Sequence, residues 1–257
     1  MNTLFSSPTA SLADDHRLLL ELRQVCKVYQ TTAGDFTALD GITADIHAGE
    51  FVGVIGKSGA GKTTLLNMIT GADTLTSGEV IFNAPDGEST SIHKLNENSM
   101  AAWRGNNVGI IHQSFQLLPM LNLAENIMLP LDFSGHYRRS DSKERAIELL
   151  RLVELEEHAD KLPSAISGGQ KQRVAIARSL ANDPSIIVAD EPTGSLDSLT
   201  AETIFEIFEK LVGEGRTIIM VTHDNNLAPR FTRRLQISDG QVESDSGFQL
   251  PGTQGPQ

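Results

Sequence analysis

Apolar positions along the chain follow two periods. Phe51–Ile55, Ile186–Ala189 and Ile218–Val221 are short, mostly β-branched runs, too short for helices, and predict buried strands. Leu18–Val28 reads as a first strand region. Elsewhere the spacing is helical. Ala146, Leu149, Leu150 and Val153 fall at i, i+3, i+4 and i+7, and so do Ile204, Ile207, Phe208 and Leu211. Each set shares one helix face. Asp239-Gly240, between Leu235–Ser238 and Gln241-Val242, predicts a closing hairpin. Strand runs alternating with helical patterns predict an α/β sheet core. Residues 1–16 and 244–257 are polar and are expected to be flexible tails.

The length of 257 residues is enough for one large domain with a real core. Lys and Arg number 21 and Asp and Glu 33, a formal charge of −12. That balance argues against broad binding to nucleic acid or anionic lipid. It leaves room for a local anion site built from backbone amides. Cys26 is the only cysteine, which excludes an internal disulfide and a Cys-based zinc site and agrees with a reducing, cytosolic setting. No apolar run approaches the roughly 20 residues that span a bilayer, so a membrane role is expected to come through a partner. The N-terminus has no basic start and no apolar core segment, unlike a secretory signal.

Candidate chemistry begins directly after Phe51–Ile55. Gly56, Lys57, Ser58, Gly59, Ala60, Gly61, Lys62, Thr63 and Thr64 contain G-x-x-x-x-G-K-[ST], followed by a helical stretch, Thr64–Ile69. Glycines let the backbone curl so that N–H groups point at phosphate oxygens, and the helix start adds positive potential. Lys62 would reach the β- and γ-phosphates of a nucleotide, and Thr63 would ligate Mg²⁺. The run Ile186–Ala189 ends in Asp190 and Glu191. Asp190 would hold the Mg²⁺, and Glu191 would polarise a water for attack on the γ-phosphate. Ser167, Gly168, Gly169 and Gln170 precede the helical run Lys171–Ala181 and make a second capped, amide-rich helix start. Taken alone, that tetrapeptide is an ordinary helix beginning.

Taken together, these segments resemble the ATP-binding cassette family. Ser167-Gly168-Gly169-Gln170 is similar to its signature motif and lies, in the family's order, between the phosphate loop and Asp190-Glu191. Gln113 falls at the family's Q-loop position, Ser195-Leu196-Asp197 at its D-loop, and His223 at its switch histidine. Tyr29 sits where an aromatic stacks on adenine. The resemblance covers about residues 17–243. The stretch 113–131 and Ala189–Gly194 resemble the ATPase subunits of lipoprotein-releasing and macrolide-exporting complexes, and the cell-division ATPase is a near relative. Ile166 before the signature serine, His112 and Ser195 depart from the common pattern.

The resemblance implies a P-loop NTPase core with a parallel sheet, an antiparallel β-subdomain and an inserted helical subdomain at about 114–166. It implies a pair of cassettes, identical or paralogous, with two ATP molecules between them. Ser167 and Gly169 would complete the γ-phosphate site of the partner, Asp197 would line the seam, and Gln113 would contact Mg²⁺ or the attacking water. His223 would hydrogen-bond the γ-phosphate. The helical subdomain would dock an integral membrane permease on the cytoplasmic face of the inner membrane, as a peripheral subunit. An alternative with the same catalytic residues is an ATP-switched cassette that regulates an extracellular enzyme through a membrane partner. A cassette acting on DNA or ribosomes is disfavoured. The span from Lys62 to Ser167 holds no sustained heptad, the chain carries one cassette, and its charge is acidic, so no nucleic-acid partner is expected.

Overall fold

A computed structural model describes residues 17–32 and 34–247. Of the tails expected at 1–16 and 244–257, residues 1–16 and 248–257 lie outside the described residues. The chain begins with two long antiparallel strands, β1 (Leu18–Thr31) and β2 (Gly34–His47). Then come β3 (Phe51–Ile55), α1 (Lys62–Thr70), β4 (Ser77–Asn83) and β5 (Ser89–Ser91). α2 (Glu97–Asn107), β6 (Val108–Ile111), α3 (Leu123–Phe133), α4 (Arg139–Leu152) and α5 (Gly168–Ser179) follow. β7 (Ile186–Asp190), α6 (Ser198–Gly213), β8 (Thr217–Thr222), β9 (Arg233–Ser238) and β10 (Gln241–Asp245) complete it.

Among the described residues the strands form two sheets. One is antiparallel, in the order β2-β1-β4-β5. The other runs β10-β9-β3-β8-β7-β6 and is parallel except for β10. β3, β8 and the first four residues of β7 are buried throughout, as strands covered on both faces must be. Their side chains divide by the two-residue period. Phe51, Ile55, Ile187, Ala189, Ile218 and Met220 face a core shared with α3, α4, α5 and α6. Val52, Val54, Ile186, Val188, Ile219 and Val221 face a second core shared with α1 and the antiparallel sheet. Phe51 meets Phe231 edge-on at 4.9 Å and Phe208 at 6.2 Å. Truncating it to alanine would cost about 3–5 kcal/mol.

The hairpin β9–β10 forms as expected and continues to Asp245, two residues beyond the boundary placed at 243. The reason is an ion pair. Arg233 donates from Nε and Nη2 to the Asp245 carboxylate at 2.9 and 2.6 Å. The segment between Asn83 and Asn107 holds the short strand β5 and α2, which buries only Trp103 and so has almost no apolar period to read. Between β6 and α5 the chain is helical, with α3 and α4 packed on α5.

Candidate active site

Adjacent parallel strands end level with one another. Ile55 pairs with Thr222, Asp190 with Val221, and Ile111 with Ala189. The next residues on four neighbouring strands are therefore Gly56, His223, Glu191 and His112, all at the carboxyl edge where open α/β sheets bind ligands.

The phosphate loop leaves β3 there. Gly61 is the N-cap of α1 with φ of 99°, a left-handed conformation, and a Cβ on it would collide with the Ala38 carbonyl oxygen. No side chain caps α1 and no acidic residue lies in its first turn, so its leading amides are left for an anion. The loop is pinned from outside. Gly240 N donates to Ala60 O at 3.1 Å, and Asp40 N donates to Gly240 O at 2.8 Å. Lys57, Ser58, Gly59 and Thr63 are exposed, Thr64 is half-buried, and Ala60 is buried. Lys62 is buried across the loop, and its ammonium donates to Gly56 O at 2.7 Å and Lys57 O at 2.8 Å. One of its three donors remains.

The Thr63 hydroxyl donates to the Asp190 carboxylate, 3.2 Å from Oδ2. Burial, then the charge of Glu191, raises the Asp190 pKa, against the pull of Thr63, His112 and Lys62. A carboxylate short of compensating positive charge beside a hydroxyl is an oxygen donor set suited to a hard cation. Among the described residues no group of three or more acidic, His or Cys side chains forms a complete cage. Mg²⁺ is usually held by one or two protein oxygens plus substrate phosphates. Thr63 and Asp190 would hold it.

Glu191 sits in the left-handed region with φ of 46°. Its amide donates to Val221 O at 3.0 Å and its carbonyl accepts from Gly194 N at 3.1 Å. Glu191 Oε1 lies 2.9 Å from His223 Nδ1. A Cβ on Gly194 would stand 3.4 Å from Gln113 Nε2 and 3.5 Å from Glu191 Oε2, so the Gln113 amide and the Glu191 carboxylate border the same space. Arg178 on α5 donates to Phe115 O and Gln116 O at 3.0 and 2.6 Å and so holds the segment after Gln113. Burial, with the Arg178 charge, keeps the His112 imidazole below its ordinary pKa, against the opposing charge of Asp190.

Ser167 and Asp197 form a second cluster. Ser167 Oγ accepts from Gln170 N at 3.2 Å, and Gln170 Oε1 accepts from Ser167 N at 2.9 Å, a reciprocal cap on α5. The Gln170 side chain thus serves the helix start, while the Ser167 hydroxyl proton stays free to donate. Asp197 caps α6, accepting from Thr200 N at 3.0 Å and Thr200 Oγ1 at 2.7 Å, bonds that hold its pKa below the usual carboxylate range. The two caps touch: a Cβ on Gly169 would run into the Thr200 methyl group, and one on Gly168 would be 4.0 Å from Leu196. Among the described residues no hydrogen bond joins this cluster to Lys62, Asp190 or Glu191. Tyr29 projects from β1 to α1, its hydroxyl donating to Asp73 at 2.8 Å and lying against the Thr64 hydroxyl at the start of that helix. Arg178 and Asp73 carried no motif and were not singled out in the sequence.

Residues 39–194 match the family described as ABC transporter. The macrolide export ATP-binding/permease protein MacB of Syntrophobacter fumaroxidans is 43% identical over 231 residues, which are 89% of this chain and 32% of that protein. This chain therefore spans about a third of the length of that relative. The uncharacterized ABC transporter ATP-binding protein YknY of Bacillus subtilis is 42% identical over 231 residues, 90% of this chain and 98% of that one. The fold is similar to the dimeric, post-hydrolysis structure of the ATP-binding cassette MJ0796 bound to ADP and Pi, a protein of Methanocaldococcus jannaschii. The TM-score is 0.79 and the identity 40%, over 89% of this chain and 98% of that one.

Proposed function

The chain belongs to the ABC transporter family, and from that premise we propose that it is the ATP-hydrolysing subunit of a transporter complex of the lipoprotein-release or macrolide-export type. It would act as a peripheral subunit on the cytoplasmic face of the inner membrane and drive a separate permease. No described helix is long and apolar enough to cross a membrane. The observation that carries this reading is the shared edge: the Lys62 loop, Asp190-Glu191 and His223 leave neighbouring parallel strands at one level.

The residues divide the chemistry. The α1 amides and Lys62 bind and orient the triphosphate. Thr63 and Asp190 would hold Mg²⁺, which would supply positive charge to the bound triphosphate. Glu191 takes the proton of the attacking water on its carboxylate. His223 fixes Glu191 through Nδ1, which leaves Nε2 for a phosphate oxygen. Gln113 borders the same space and joins it to the helical segment after β6.

The cluster of Ser167, Gly169 and Asp197 explains a second helix start in one chain. It would serve the γ-phosphate bound to a second copy or a close paralogue, so that two chains enclose two ATP molecules. Removal of the γ-phosphate would then open the pair. The exposed Leu118, Met120 and Phe133, on the segment after Gln113 and the end of α3, suit contact with the permease. Purification of the tagged chain from detergent-solubilised membranes tests the reading. An integral membrane protein should co-purify, and Mg²⁺-dependent ATP hydrolysis should be present. A chain that hydrolyses ATP at full rate and retains no membrane protein would contradict it.

A further inference from the structure

Asp73 lies three residues beyond the end of α1, the helix that begins at the phosphate loop. Its carboxylate is shared by two side chains of β1. Tyr29 Oη donates to Oδ2 at 2.8 Å and Lys27 Nζ donates to Oδ1 at 2.8 Å. Lys27 donates again to Thr74 O at 2.5 Å, and its ammonium stands 4.7 Å from the centre of the Tyr29 ring. The two residues alternate by two along a strand and so share a face. Lys27 is only 8% exposed, so its charge depends on these partners. Asp73 is itself anchored. Thr74 N donates to its Oδ1 at 2.7 Å, and the amides of Ala72 and Asp73 both reach Asn67 O in the last turn of α1.

We propose that Asp73 and Lys27 are positioning residues for the nucleotide base: Asp73 fixes the Tyr29 ring through its hydroxyl, and Lys27 covers one ring face, leaving the opposite face for stacking. This rests on Tyr29 being the ring that meets the base. A phenol at the margin of a sheet would otherwise have to be ordered when the nucleotide arrives, at a cost in binding. The tether sets the ring beforehand, and it does so from the far end of the helix whose start holds the phosphates. The ring and the phosphate loop are thereby referenced to one rigid element. A phenylalanine would present the same stacking surface, so the arrangement gives the Tyr29 hydroxyl a purpose that stacking alone does not.

Affinity for ATP and for inorganic tripolyphosphate, measured by calorimetry on the full chain, separates base from phosphate effects. Tyr29→Ala should weaken ATP about tenfold or more and leave tripolyphosphate unchanged. Asp73→Ala should weaken ATP about fivefold, again with tripolyphosphate unchanged, and should add nothing in the Tyr29→Ala background. Tyr29→Phe should show a smaller loss of the same kind, and it reads the tether even if Asp73→Ala fails to fold. If Tyr29→Ala leaves ATP affinity intact, the base-stacking premise and the proposal both fall. If Tyr29→Ala weakens ATP but Asp73→Ala and Tyr29→Phe do not, stacking stands and the positioning role is wrong. An equal loss for ATP and tripolyphosphate in Asp73→Ala would place its effect on the phosphate loop and overturn the proposal.

Discussion

His223 Nδ1 meets Glu191 Oε1 at 2.9 Å, across the ends of the neighbouring strands β8 and β7. Glu191 is held in a left-handed backbone conformation with φ of 46°, which non-glycine residues seldom adopt. Two backbone hydrogen bonds and this side-chain contact keep it there. Glu191 is thus aimed by contacts within the chain itself. His223→Ala should lower kcat about 100-fold with a much smaller change in KM, since it removes the support of the base and a phosphate contact but not the phosphate loop. Steady-state phosphate release checks this, and an unchanged kcat would remove His223 from the mechanism.

Lys62 ties Gly56 O and Lys57 O and has one donor to spare. Lys62→Ala should reduce ATP affinity by about 10- to 100-fold, the scale of one or more charge-assisted hydrogen bonds. Calorimetric titration with ATP reads this directly, and wild-type affinity would count against the loop as the phosphate site.

Asp190 has a pKa raised above the ordinary carboxylate range, chiefly by burial. A group with a raised folded-state pKa binds protons more tightly folded than unfolded. Its ionised form therefore costs stability at neutral pH, and the fold gains as pH falls through that pKa. Asp190→Asn should raise the melting temperature of the nucleotide-free protein by a few degrees while reducing Mg²⁺-dependent hydrolysis by about 100-fold or more. The acid limb of kcat/KM should lie above the ordinary carboxylate range in the wild type. A variant less stable than wild type would show that the carboxylate is not the strained group it is taken to be.

Arg230 closes the turn that follows His223. Its Nε donates to Glu209 at 2.5 Å, its Nη1 donates to both oxygens of Glu202 at 2.9 Å, and the guanidinium lies 5.2 Å from the Phe205 ring centre. Glu209 first, then Glu202, raises the Arg230 pKa, so the charge persists at any working pH. Arg230→Ala should destabilise the fold by about 1–2 kcal/mol in chemical denaturation, and Arg230→Lys should recover less than half of that, because lysine has no planar fork. Full recovery by lysine would show that charge alone matters.

Ser167 caps α5 with its oxygen lone pair and keeps its proton free. Ser167→Arg should abolish hydrolysis yet leave ATP binding to the single chain unchanged, because Lys62 and the α1 amides lie outside its cluster. Retained hydrolysis in that variant would break the shared-site account.

Much of the site was legible because its chemistry is local in sequence. The loop from Gly56 to Thr64, the Asp190-Glu191 pair and His223 each follow a short apolar run, and β3, β7 and β8 form where those runs lie. What escaped depends on contacts far apart in the chain. Asp73 meets Tyr29 across 44 positions, and no periodicity marks such a pair. α6 shows the same limit. Ile204, Phe208 and Leu211 are buried as their spacing implies, but Ile207 is only partly buried. Phe205, off that face by the pattern, is buried against Phe51, Phe208 and Phe231, because the helix is covered on a second side. α2, with a single buried apolar residue, gave the pattern nothing to show.

The central claim is that two chains close over ATP and part when the γ-phosphate is lost. Sedimentation velocity of Glu191→Gln, with and without saturating ATP and Mg²⁺, tests it most directly. The account predicts a single chain of 27.8 kDa without nucleotide and a stable species of twice that mass with ATP, which disappears when ADP replaces it. A variant that is saturated with ATP and remains at the mass of one chain, even alongside its membrane subunit, would contradict it.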